Sequence, residues 1–136
     1  MECILDAVAV QQLIRDGLPA AASVVVEAVG PGEARIRLPF HARMLRPGGV
    51  ISGPTLMAAA DTAMYACVLA HVGPELMAVT TDMNLHFLSM TPAGDVVAEA
   101  RLLKLGRRLL VLDVAVRDHL GRETVHVTGS YMRPSQ

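Results

Sequence analysis

Two hydrophobic periods alternate along this chain. Residues 2–16 set Ile4, Leu5, Val8 and Leu13 at helical spacing, and Gly17 followed by Pro19 ends the run, so a short amphipathic helix is predicted. Residues 23–29 are rich in Val and predict a strand. Gly30-Pro31-Gly32 marks a turn, and residues 34–38 alternate, with Ala34, Ile36 and Leu38 on one face and Arg35 and Arg37 on the other. Residues 39–53 carry Pro47, Gly48, Gly49 and Gly53 and read as a loop. Loops of that length inside compact domains are often functional.

Residues 54–71 return to helical character. Ser52 or Gly53 can cap the start, Pro54 fits a first turn where a missing N–H costs nothing, and His71, Gly73 and Pro74 form a stop signal. Ala, Leu, Met, Val and Cys occupy nearly every side, which is the mark of a buried helix. Four strands follow. Residues 79–88 alternate, with Val79, Met83, Leu85 and Phe87 facing one way and Thr80, Asp82, Asn84 and His86 the other. Residues 95–105 align Val96, Ala98, Ala100 and Leu102. After a Gly106-Arg107 hairpin, residues 108–118 align Leu110, Leu112, Val114 and Val116, and residues 123–132 close the series. A helix apolar all round must be wrapped, and one curved antiparallel sheet does so most economically. The predicted class is α+β, a hotdog fold with a long central helix inside a curved antiparallel β-sheet.

Composition narrows the functional classes. At 136 residues the chain predicts a single domain over 1–136. It is 52% hydrophobic and 18% charged, with a mean hydropathy of +0.41, which excludes intrinsic disorder and points to an oligomer interface for the apolar excess. A formal net charge of −1 leaves no basic field for nucleic acid. Cys3 and Cys67 make no disulfide scaffold, and the five His show no metal-ligand spacing, so no metal is expected. The start, Met1-Glu2-Cys3, lacks a basic n-region. The longest apolar stretch, 56–70, is broken by Asp61 and Thr62 and is shorter than the ~20 residues of a spanning helix. A soluble, cytoplasmic protein with no membrane partner is expected.

The loop–helix junction is more specific. Ser52-Gly53-Pro54-Thr55-Leu56-Met57-Ala58-Ala59-Ala60-Asp61-Thr62-Ala63 resembles the signature of the PaaI-type hotdog thioesterases: His-Gly-Gly, six further residues, then Asp followed by Thr or Ser and Ala. Thr81 to Leu88 resembles that family's strand ending in Phe-Leu, and Gly106-Arg107 its Gly-Arg hairpin; the likeness runs over residues 20–133. The resemblance implies an acyl-CoA thioester bound between subunits of a homodimer or homotetramer. It implies no cofactor beyond the coenzyme A of the substrate, a helix-borne carboxylate as base or nucleophile, and a Gly N–H that polarises the thioester carbonyl. Ser52 stands where the family has His, Pro54 where it has the second Gly, and Arg46-Pro47-Gly48-Gly49 differs from the upstream Asn-Pro of many members. These departures mark a divergent subfamily.

The residues themselves point the same way. Asp61 lies about two turns inside an apolar helix, where an unpaired carboxylate is costly and where a general base is useful. The plain alternatives are that Asp61 faces solvent through a gap in the sheet, or caps a shorter helix beginning at Thr62. Ser52 and Gly53 sit at the helix start, where free N–H groups and the helix dipole suit an oxyanion. Pro54 has no N–H, so Gly53 or Thr55 is the donor, and Ser52 reads equally well as an ordinary cap. Catalytic candidates are therefore Asp61, Gly53 and Ser52. Substrate-binding candidates are Thr62, Tyr65 (at i+4 from Asp61, to bond it or line an acyl pocket), Thr81, Asn84, and the pair Arg107 and Arg108 for coenzyme A phosphates, with Arg43 and Arg46 as further cations. The expected activity is hydrolysis of an acyl-CoA thioester. A ligand-binding hotdog protein without turnover is one rival, and an enoyl-thioester hydratase or dehydratase, which needs a His paired with an acid, is the other.

Overall fold

The computed structural model describes residues 1–134; the last two positions of the expected 1–136 domain lie outside the described residues. Six strands form one antiparallel sheet in the order β1-β2-β6-β7-β8-β5. They are β1 (Val25–Gly30), β2 (Glu33–Leu38), β5 (Val79–Phe87), β6 (Val96–Leu105), β7 (Leu109–Arg117) and β8 (Glu123–Met132). The sheet curls around α2 (Gly53–Val72), as a hotdog fold requires. The inward faces of β2, β6 and β7 are those read from alternation: Ala34 and Ile36, then Val96, Ala98, Ala100 and Leu102, then Leu110, Leu112, Val114 and Val116 are buried against the helix. Outside, Glu27 bridges Arg35 and Arg37 across strands, and Arg101 pairs with Asp113.

The helix is held at both ends. The Ser52 hydroxyl accepts the N–H of Thr55 at 3.4 Å and bonds its Oγ1 at 2.8 Å. Gly73 ends α2 at φ 90°, the region glycine tolerates. At 20 residues α2 is long and apolar enough to cross a membrane by length alone, so the short-stretch argument for 56–70 does not hold. Its apolar surface is instead taken up by the sheet, with 67% of its most apolar window buried.

Three expectations change. The N-terminal helix, α1, spans Ala7–Gly17 rather than 2–16, because the Asp6 side chain caps it by accepting the N–H of Ala9 at 2.9 Å. Ile4 and Leu5 precede it and donate their N–H groups to the Ala70 carbonyl of α2. The buried stripe is Val10 and Ile14, while Val8 is 78% exposed. The 39–53 segment is built rather than irregular: a 3-10 turn (Ala42–Met44) leads into a hairpin of β3 (Leu45–Arg46) and β4 (Val50–Ile51) that turns at Pro47-Gly48-Gly49. Ser52 N–H to Met44 O and Ile51 N–H to Thr91 O then fix the approach to α2.

The third change is in β5. Its pairing with β8 slips between Thr80 and Asp82, a β-bulge that moves the alternation by one residue. Thr80, expected on the polar face, turns inward in phase with Met83 and Leu85. Val79, expected inward, is 54% exposed, and Phe87 at the strand end is exposed as well.

Candidate active site

Asp61 does not start a shorter helix; α2 runs through it. Its side chain is half-buried and opens onto a cleft of about 400 Å³, lined among others by Leu18, Thr62, Tyr65, Leu76, Thr80 and Tyr131. The carboxylate is held on one side. The Tyr131 hydroxyl donates to Oδ1 at 2.6 Å, and the Thr80 hydroxyl donates to the same oxygen at 2.8 Å. No described residue donates to Oδ2.

Tyr131 and Thr80 face each other across the β5–β8 ladder, so the bulge and the closing strand together deliver both donors. Burial, then the Asp61 charge, pushes the Tyr131 phenol well above its ordinary value, so it stays a neutral donor. The bond expected from Tyr65 to Asp61 is thus made by Tyr131. Tyr65 stacks on Tyr131 with ring centroids 6.0 Å apart and donates instead to the Leu76 carbonyl at 3.2 Å. Both tyrosines of the chain therefore lie at this carboxylate. Neither Thr80 nor Tyr131 was evident as a site residue: the bulge leaves no mark in the pattern, and Tyr131 continues the inward run Val125, Val127, Gly129 as an ordinary core position.

A second cleft, of about 580 Å³, opens at the start of α2, with Arg46, Ile51, Gly53, Leu56, Phe87 and Met90 among its lining. No described residue accepts the N–H of Gly53, and a Cβ there would rest 3.8 Å from the Phe87 ring. The Ser52 hydroxyl is engaged as the helix cap. Thr62 also borders a groove with Thr55, Ala58, Ala59 and Arg43.

Other expected residues lie apart from these clefts. The Thr81 hydroxyl bonds Ser130 Oγ at 2.7 Å, and Asn84 is exposed; both sit on β5, at an edge of the sheet. Arg107 and Arg108 are exposed in the β6–β7 hairpin, their carbonyls accepting from Arg133. Both ring nitrogens of His71 are occupied by backbone: Nε2 accepts the Gly32 N–H, and Nδ1 donates to the Cys67 carbonyl. His126 does pair with an acid, Glu123, but among the charged residues of the outer sheet face.

Comparison with known proteins shows the family and the fold. The profile of the thioesterase superfamily matches residues 48–134. The crystal structure of a candidate thioesterase from Silicibacter sp. TM1040 superposes with a TM-score of 0.91 at 37% identity, covering 99% of this chain and 96% of that one. A mutant of the phenylacetic acid degradation protein PaaI from Thermus thermophilus gives a TM-score of 0.75 at 28% identity, covering 85% of this chain and 99% of that one. A candidate esterase of Thermoplasma acidophilum is 24% identical over 106 residues, 78% of this chain and 80% of that protein.

Proposed function

This chain belongs to the thioesterase superfamily, as a PaaI-type hotdog protein, and we propose that it hydrolyses an acyl-CoA thioester to a carboxylic acid and free coenzyme A at a site shared by two copies of the chain. The observation that carries this reading is the half-held carboxylate: Asp61 has Oδ1 tied by two hydroxyls and Oδ2 open to a largely apolar cleft.

Oδ2 takes the proton of a water as that water adds to the thioester carbon, or adds to the carbon itself, in which case a water afterwards hydrolyses the mixed anhydride to release the acid and restore Asp61. The carbonyl π electrons move to oxygen, then return as the C–S bond breaks and the thiolate leaves. The oxyanion is met by a free N–H at the start of α2, that of Gly53, with the helix dipole behind it. Eight residues separate Gly53 from Asp61, about 12 Å along a helix, too far for one carbonyl to touch both. A second copy resolves this by presenting its own Asp61 to the Gly53 of the first. The free edge of β5, with exposed Val79, Phe87 and the following Leu88 and Met90, supports such an arrangement. Arg46 at the mouth of the Gly53 cleft, and Arg107 with Arg108, are cations suited to the coenzyme phosphates.

The test is thiol release from a panel of acyl-CoA esters by the native protein and by Asp61→Asn. Turnover by the native protein and a fall of about 10²–10⁴-fold in the variant are expected; equal turnover would remove Asp61 from the chemistry. The capped Ser52 and the missing donor at Pro54 favour one second reading, a protein that binds acyl-CoA without cleaving it. That reading predicts thermal stabilisation by acyl-CoA with no thiol released.

A further inference from the structure

We propose that Tyr131 is the positioning residue of the Asp61 carboxylate: its hydroxyl fixes Oδ1 and so commits Oδ2 to the substrate. This rests on the thioesterase reading above and adds to it a residue from the opposite end of the chain.

A carboxylate at the end of a single side chain can rotate to present either oxygen, and a base that rotates spends part of its time misaimed. Here both donors converge on one oxygen, Tyr131 at 2.6 Å and Thr80 at 2.8 Å. An oxygen accepting two hydrogen bonds is the weaker base of the pair, so proton abstraction or attack falls to Oδ2.

Of the two donors, Tyr131 is the more rigid. It is 3% exposed, its ring is stacked on Tyr65, and it lies inside the sheet on β8 between β7 and β5. Thr80 is half-buried on a bulged edge strand. Burial and the adjacent carboxylate keep the phenol protonated, so its hydroxyl hydrogen stays available to Asp61. The Asp61 backbone carbonyl, 3.2 Å from the same hydroxyl, further restricts where the phenol can point.

Tyr131→Phe removes the hydroxyl and keeps the ring and its stacking. For a lost orienting bond the expected result is a kcat lower by about tenfold to a hundredfold with KM within about twofold. The melting temperature should stay within a few degrees of the native value. An unchanged kcat, or a loss of activity that follows unfolding or appears in KM, overturns the assignment.

A second measurement is independent of turnover. The chain has no Trp and two Tyr, so tyrosine emission reads Tyr65 and Tyr131 alone. A carboxylate that accepts a phenol proton quenches that emission. Asp61→Asn should therefore brighten the native background and leave a Tyr131→Phe background unchanged. Equal brightening in both backgrounds, or none in either, overturns the contact. If no acyl-CoA is cleaved by the native protein, the thioesterase reading fails while the emission result still decides the contact.

Discussion

Asp118 and Asp61 are carboxylates at opposite ends of the chemistry. Asp118, 2% exposed in the β7–β8 turn, has both oxygens filled: Oδ1 accepts the N–H groups of Leu120 and Arg122, and Oδ2 accepts Arg122 Nε. Burial pushes its carboxyl up, but those backbone bonds and the guanidinium outweigh burial and hold it below its ordinary value. Its folded pKa is thus below its unfolded one, so its stabilisation is complete above the unfolded value, about pH 4, and is lost as pH falls through the folded value. Asp118→Asn is expected to cost about 1–2 kcal/mol at neutral pH. It should also flatten the fall in stability below about pH 4, read by urea unfolding across acid pH. An unchanged acid slope would assign that fall to other carboxylates. Asp61 keeps one oxygen without a donor among the described residues, and under the proposed function that is the oxygen that reacts. At this scale Asp61 was legible, because one carboxylate in an apolar helix is conspicuous. Its partners were not, because a Thr on an edge strand and a Tyr in a core position look ordinary until folding places them.

Elements were legible where the local period was unbroken. The inward faces of β6 and β7 follow directly from alternation, and the start and stop signals of α2 sit where Ser52 and Gly73 stand. Reading failed where one residue changes phase. In β5 the bulge turns Thr80 in and Val79 out, and in α1 the Asp6 cap moves the buried stripe to Val10 and Ile14. Gly129 shows how tightly these elements meet. It faces α2 from the middle of β8, and a Cβ there would lie 2.9 Å from both the Met64 sulfur and the backbone oxygen of Asp82. Met64 can swing aside, but the oxygen belongs to the paired strand. Gly129→Ala is therefore expected to destabilise by about 1–3 kcal/mol, measured by chemical unfolding. Native stability in that variant would mean that β5 yields at its bulge.

At the scale of the whole molecule, the apolar excess has two destinations. Most of it fills the space between α2 and the sheet, and some lies exposed at the β5 edge. A shared site makes a prediction that a site within one chain does not. Gly53→Pro deletes the Gly53 N–H: proline is accepted at the first position of a helix, and Ser52, at ψ 150°, already has the backbone a following proline demands. Gly53→Pro and Asp61→Asn should each be nearly inactive alone. Unfolded together and refolded at equal ratio as a two-fold dimer, they should recover about a quarter of native activity, since half the dimers are mixed and each holds one intact site. No recovery would confine the reaction to a single chain.

The amino-acid sequence by itself determined the layers of this protein. A helix without a polar side has to be wrapped, strands with one apolar face have to do the wrapping, and a lone carboxylate in that helix needs a reason to be there. All three follow from local periodicity and the cost of burying charge. Only the tertiary structure decided how that carboxylate is held. Thr80 and Tyr131 are 51 residues apart, and they meet at Asp61 because a one-residue slip in an edge strand turns one of them inward opposite the other. That register belongs to the paired strands together, and neither strand carries it alone.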